Sequence, residues 1–309
     1  MDKGLGSAED KGIGSAYHYT PADGWSLGNL DFFTVPQKVF TPEEHDIWRV
    51  LYKRQLDILP KRAISLFMDS LSTLGISQDK IPDFADVNEI LMKRSGWQVV
   101  PVPGLIPDEP FFELLANRRF PAGNFMRTRE QMDYIQEPDV FHDLFGHVPI
   151  LADPVFGDYM EAYGKGGLKA AKLGTIDNLA RLYWYTVEFG LIQEPQGLRI
   201  YGAGILSSPV ESVFSVESPS PHRIKFNLKR MLQTHYRIDD FQDNYFVIDS
   251  FKQLFDDTLV DFDPLYAEIK GKPPYEPGHL IDGDVVLHKG TGTYAVEAAR
   301  RREERKNKK

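Results

Sequence analysis

The chain has 309 residues, 42% of them apolar and 26% charged, with a formal net charge of −9 and no cysteine. That length can bury one large core, and no apolar run approaches the ~20 residues of a membrane helix. Without cysteine there can be no disulfide scaffold, zinc–thiolate site, iron–sulfur cluster or thiol nucleophile, so histidine and carboxylate must hold any metal.

The first sixteen residues, MDKGLGSAEDKGIGSA, carry a short Gly-rich echo but no apolar leader, which predicts a cytoplasmic chain. Neither copy of the echo precedes GK[ST], so it is no phosphate loop. Residues 1–40 read as an extended arm. Thr41, Pro42 and Glu44 then form a capping signature, and Ile47, Val50, Leu51 and Ile58 an apolar stripe, predicting a helix that runs up to Pro60. A second helix is expected through Ile64, Phe67, Met68 and Leu71 as far as Gly75, and a third from Asp83 to Gly96. WQVVPVPGLIPDEPFF reads as a short strand followed by a rigid loop, because Pro101, Pro103, Pro107 and Pro110 oppose a helix.

Helices are expected again over Phe111 to Arg119, around His142, from Asp153 to Tyr163 and from Ile176 to Leu191. In the last, Ile176, Leu179, Ala180, Tyr183 and Val187 repeat at helical spacing. YGAGILSS reads as irregular, Arg223 to Thr234 and Ser250 to Asp257 as helical, and NYFVIDSF as opening in a strand. No repeat or linker divides the chain after residue 41. The body is taken as 41–288 and the charged tail as 289–309. Residues 300–309 hold seven basic and two acidic side chains, a net of +5, which leaves the rest near −14. Such a body repels nucleic acid and anionic membranes, and the tail reads as a solvated, frayed end.

EPDVFHDLFGHVPILADP, residues 137–154, is the passage richest in chemistry. His142 and His147 are five apart, and on an ideal helix they point about 140° from one another. Gly146 and Pro149 suggest that the helix ends there and turns His147 back. Trp184, Glu188 and Leu191 are expected on one helix face, and Glu188 stands in the apolar context YWYTVEFGL, where a buried charge needs a cation or a proton. Two histidines and one carboxylate on one face of an octahedral ion leave three positions for water, substrate or O₂. The residues alone also fit hydrogen-bonded core histidines with a salt-bridged acid, or a zinc hydrolase, although no HExxH is present.

These residues lie in strings that resemble the pterin-dependent aromatic amino acid hydroxylases, most nearly the compact bacterial phenylalanine hydroxylases. The strings are GLIPDEPFF (104–112), EPDVFHDLFGHVP (137–149), RLYWYTVEFGL (181–191) and YGAGILSS (201–208), in family order and spacing across about residues 40–260. The resemblance implies a mainly helical, basket-like catalytic domain with few short strands. It also implies Fe(II) held by His142, His147 and Glu188, with a tetrahydropterin as second cofactor. By the same resemblance Phe111 stacks on the pterin, and the backbone of Gly104, Leu105 and Ile106 reads its edge. Arg127 clamps the amino acid carboxylate, Pro138 and Trp184 contact the substrate ring, and Ser207 lies near that carboxylate. Tyr183 and Asp143 stand close to iron and pterin. Val247 occupies a position where an apolar residue suits phenylalanine and an acid appears in tyrosine-specific relatives.

The implied partners are small molecules: L-phenylalanine, O₂ and the reduced pterin. Residues 1–40 are too short for the family's regulatory domain, and Ala295 to Lys309 lacks an apolar heptad, so a monomer is expected. Ile135 and Gln136 replace a Thr-Pro pair of the animal members. A zinc hydrolase and an inactive amino acid or pterin binder are the rival readings. Metal content and pterin-coupled oxygen uptake distinguish them.

Overall fold

The computed structural model describes residues 24–133, 135, 137–238 and 240–307, the stretch 302–307 through its backbone alone. Most of the expected arm, with Gln136, lies outside the described residues. From residue 24 to residue 40 the chain runs without regular structure over the first sheet, where Val35 N–H donates to Pro101 O at 3.0 Å and Lys38 N–H to Asn124 Oδ1 at 2.8 Å.

The helix α1 (Pro42–Ile58) starts at the predicted capping box, with Thr41 Oγ1 accepting from Glu44 N–H and the Glu44 carboxylate from Thr41 N–H. Two further expected helices follow, α2 (Ser65–Thr73) and α3 (Phe84–Ser95), the latter capped by Asp83 and closed by left-handed Gly96. The strand β1 (Gln98–Val102) is as expected, whereas the next helix, α4 (Asp108–Ala116), begins earlier than predicted. Pro110 is its third residue, and the first-turn N–H groups have no partner inside a helix, so this proline forfeits nothing. The stretch to Arg119 is not helical: β2 (Arg119–Gly123) pairs in parallel with β1.

After a six-residue π turn, His142–His147, come α5 (Val148–Leu151) and α6 (Pro154–Leu173). The last ends ten residues later than predicted, because Gly164 and Gly167 are packing sites and not helix stops. A Cβ on Gly164 would lie 2.4 Å from Ala116 N, and one on Gly167 2.0 Å from the Phe112 ring, so both let α4 close onto α6. The expected helix from Ile176 is α7 (Ile176–Tyr183), which widens into a second π turn, Trp184–Glu188, and stops before Leu191. Gly190 ends it, for a Cβ there would lie 2.2 Å from Thr186 O and 2.1 Å from the Tyr201 ring.

Two short strands, β3 (Leu191–Glu194) and β4 (Gly197–Ile200), precede α8 (Ala203–Leu206), a single turn inside the segment read as irregular, and α9 (Pro209–Glu217). The helix expected over Arg223–Thr234 is instead β5 (His222–Lys225) followed by α10 (Leu228–Leu232). Asn227 explains the boundary, since its Oδ1 accepts from Arg230 N–H and fixes the helix start there. The strand β6 (Asn244–Ile248) and the helix α11 (Phe251–Thr258), capped by Ser250, agree with prediction. Last come α12 (Phe262–Ile269), β7 (Val286–His288) and α13 (Thr293–Asn307), which replaces the frayed tail.

The described residues thus form thirteen helices and seven short strands, a mainly helical fold. The larger sheet has the order β4-β3-β6-β5-β7, with β3–β6 and β5–β6 parallel and the outer pairs antiparallel. Behind the first π turn, Phe141 and Phe145 stack at 4.8 Å and 12°. Trp48 meets the edge of Phe141 at 5.3 Å, while Tyr52 and Phe67 meet Phe145 at 5.2 and 5.4 Å. Each such buried ring contributes on the order of 2 kcal/mol, and together they seat the turn that carries both histidines.

Candidate active site

The π turn at His142–His147 is what makes five-residue spacing converge. Val148 N–H donates to Asp143 O, five residues back, and this wider loop brings residues five apart onto one side. His147 is therefore not turned back at a helix end, as expected from Gly146, but lies inside a continuous helical path. Gly146 serves closeness, since a Cβ on it would lie 2.9 Å from Ala203 O. Glu188 closes the second π turn, where Phe189 N–H donates to Trp184 O at 2.8 Å. Leu191 leaves this face for β3.

The two turns aim three side chains at one point. His142 Nε2 and His147 Nε2 are 3.1 Å apart, and Glu188 lies 3.1 Å from His147 and 3.5 Å from His142. Neighbouring ligands on an octahedral ion with bonds of about 2.1 Å are separated by about 3 Å, so this donor set fits a divalent metal. Among the described residues it is the one His and carboxylate group close enough to hold an ion. Burial would raise the Glu188 carboxyl, but the adjacent His147 and His142 hold it far below the usual range. Burial disfavours the charged form of His142, yet Glu188 raises its pKa. The carboxylate is thus ionised, as metal ligation requires.

Neighbouring groups orient the ligands. His142 Nδ1 lies 2.9 Å from Ser207 Oγ, so the residue expected near the substrate carboxylate touches a metal ligand's ring. His142 N–H donates to Asp139 Oδ1 at 3.0 Å, and Asp139, fully buried, takes both Nε and Nη2 of Arg127 at 2.7 and 2.8 Å. Burial opposes ionisation of Asp139, but the Arg127 fork and two backbone N–H groups hold its pKa low. Arg127 is therefore a buried side chain and not a surface one. One edge of its guanidinium is thus fixed by Asp139. The Phe120 ring lies 4.9 Å from that of His147.

The remaining candidates fall around this centre. Phe111 is half-buried and meets Tyr183 edge-on at 5.8 Å, whereas Phe112 is buried against Tyr163. Tyr183 lies 6.3 Å from His147, ring to ring. Asp143 accepts from Gly123 N–H at 2.7 Å, and its carboxyl is pushed up to about 6 by burial, against the pull of both histidines. Trp184 stacks on Tyr236 at 4.3 Å and leans on Phe189 at 5.0 Å. Gly104, Leu105, Ile106 and Pro138 are half-buried, and Leu105 N–H donates to Glu137 Oε1 at 3.0 Å. Val247 is buried in β6, between Leu191 and Lys225.

Sequence reasoning missed Asp139, Glu137 and Phe120. Only the first left a trace, as an acid three residues before His142 whose side chain caps that residue's N–H.

The family model described as biopterin-dependent aromatic amino acid hydroxylase matches residues 32–263. The phenylalanine-4-hydroxylase of Ralstonia nicotianae is 60% identical over 261 residues, 84% of this chain and 83% of that one. That of Chromobacterium violaceum is 56% identical over 84% of this chain and 88% of its own. The iron- and phenylalanine-bound crystal structure of the C. violaceum enzyme superposes with a TM-score of 0.80 at 55% identity, covering 85% of this chain and 97% of that one. A match of this length, with two π turns converging on a metal-ready triad, means that the chain belongs to the biopterin-dependent aromatic amino acid hydroxylases.

Proposed function

We propose that this enzyme is a phenylalanine 4-monooxygenase, which converts L-phenylalanine and O₂ to L-tyrosine with Fe(II) and a tetrahydropterin. The observation that carries the reading is the His142, His147 and Glu188 triad, whose donors lie 3.1 to 3.5 Å apart in a chain 60% identical to a phenylalanine-4-hydroxylase. When bound, iron opens a route for O₂, which is kinetically inert toward an arene, and the reduced pterin supplies two electrons. The chain's own residues supply position. His142, His147 and Glu188 would hold the metal on one face, with Ser207 fixing the ring of His142.

Phe111 and the Gly104–Ile106 backbone offer a surface for a flat heterocycle. Arg127, steadied by Asp139, offers a bidentate edge to the amino acid carboxylate, and Pro138 and Trp184 offer apolar contact to its ring. Val247 is an apolar residue, which favours phenylalanine over tyrosine as substrate. The reaction needs no side-chain nucleophile.

The proposal extends to a cytoplasmic monomer, since ferrous iron and a reduced pterin persist in a reducing interior. Tyr294 and Ala298 of α13 face their own body, which leaves Val296 as the exposed large apolar side chain of that helix. Sedimentation of the iron-loaded protein as a single copy is the expected result. Product analysis with phenylalanine, tyrosine and tryptophan tests the substrate: tyrosine formed from phenylalanine is expected as the main product, and exclusive conversion of tryptophan would overturn the assignment.

A further inference from the structure

Three consecutive residues, Glu137, Pro138 and Asp139, touch different parts of the site. Glu137 Oε1 accepts from Leu105 N–H at 3.0 Å, across 32 positions of sequence. Pro138 lies on the side assigned to the substrate ring. Asp139 holds the Arg127 fork and the backbone of His142. The approach of Glu137 depends on Gly104, because a Cβ there would lie 2.5 Å from the same Oε1 atom. The strap is stiff. Pro138 restricts Glu137 to extended backbone, Val140 N–H is fixed to Phe125 O at 2.9 Å, and the Pro138 carbonyl packs where a Cβ on Gly123 would lie at 2.9 Å.

We infer that Glu137 is a positioning residue that couples the loop Gly104–Ile106 to the amino acid side of the site, so that pterin and phenylalanine each strengthen the binding of the other. The inference rests on the functional reading above for what occupies the two sides. A pterin seated on the loop sets the position of Leu105, and the Glu137 bond passes that position along the stiff strap to Pro138 and Asp139. The second ligand then meets a site already in place, which is positive coupling, and linkage makes it reciprocal. The loop needs an acceptor for Leu105 N–H, and a neutral amide oxygen can serve as well as a carboxylate oxygen.

The test is calorimetric binding of 7,8-dihydrobiopterin to the anaerobic, iron-loaded full chain, with and without saturating L-phenylalanine. Wild type is expected to bind the pterin about fivefold or more tightly when the amino acid is present. In Glu137→Ala that ratio falls toward one, while Glu137→Gln keeps it, because its amide oxygen still accepts from Leu105. Gly104→Ala, which pushes the carboxylate aside without touching the strap, loses it as Glu137→Ala does, and so guards against a folding defect peculiar to one variant. An unchanged ratio in Glu137→Ala, or no ratio in wild type, overturns the inference and leaves the enzyme assignment standing. Wild type that binds no pterin at all overturns the functional reading, and this inference with it.

Discussion

Ser207 decides how the His142 ring is presented to the candidate metal site. With its Oγ 2.9 Å from His142 Nδ1, it holds the ring so that Nε2 faces Glu188 and His147. Ser207→Ala is expected to weaken Fe(II) binding about 10- to 100-fold, read by competition with a chelator, and unchanged affinity would contradict this role. Glu211 makes a prediction away from the metal. It is buried in α9, and its Oε1 accepts from the Tyr245 hydroxyl at 2.7 Å. Burial pushes its carboxyl up to about 8, although the Tyr245 bond pulls the other way.

Between the ordinary carboxyl value of about 4.3 and that raised value, the native chain holds a proton that the unfolded chain has lost. Wild-type stability therefore falls as pH rises through this window, and the loss is absent below it. Glu211→Gln carries no such proton, so its Tm relative to wild type should move in its favour from about pH 5 to about pH 8. A constant difference would contradict the buried neutral acid. At this scale the converging group His142, His147 and Glu188 was legible, because the residue types and strings carry the chemistry. Asp139 and Glu137 were not, since their importance lies in partners 12 and 32 positions away, which only the folded loops bring together.

Among the elements, the π turns carry the function. Helical periodicity read Ile176 to Leu191 as one helix and the spacing of His142 and His147 as a helix end. Both readings found the right segments and the wrong local winding. A single extra residue in a turn leaves the apolar pattern almost intact, so periodicity cannot register it, yet it decides whether residues five apart converge. The strands β2 and β5 were missed for a related reason. They are four or five residues long, and pairing with β1 and β6 decides them more than their own pattern does. The cap at Thr41 and the helix starts at Asp83 and Ser250 were read well, because a helix start is a local event.

Glycines inside α6 give the clearest test at this scale. Alanine is better than glycine by about 1 kcal/mol in a helix interior. At position 167, however, its Cβ would lie 2.0 Å from the Phe112 ring, and forcing α4 from α6 costs about 1–3 kcal/mol. Gly167→Ala is therefore expected to lower Tm by a few degrees. A rise in Tm would show that propensity, and not helix contact, governs the position.

For the molecule as a whole, the sequence gives one body with appended ends, and the structure shows how the last segment joins it. Tyr294 stacks on Phe241 at 5.2 Å, meets Phe214 at 5.0 Å, and donates its hydroxyl to Asp240 Oδ1 at 2.5 Å. Residues on both sides of position 288 therefore pack on the same body, although the +5 charge of residues 300–309 suggested a free tail. The aromatic cluster behind His142–His147 and the close helix pair α4–α6 place the triad within a frame built by residues 42 to 217. No helix among the described residues is long and apolar enough to cross a membrane.

The central claim is that this frame presents His142, His147 and Glu188 as a site for iron in a pterin-coupled oxygenase. The most direct measurement is oxygen uptake by metal-stripped protein reloaded anaerobically with Fe(II) or Zn(II), then given a tetrahydropterin and L-phenylalanine, with Glu188→Ala alongside. The account predicts oxygen consumption with tyrosine formed for the Fe(II)-loaded wild type, and neither for the Zn(II)-loaded protein or the variant. Full tyrosine formation with zinc, or by Glu188→Ala, would contradict it.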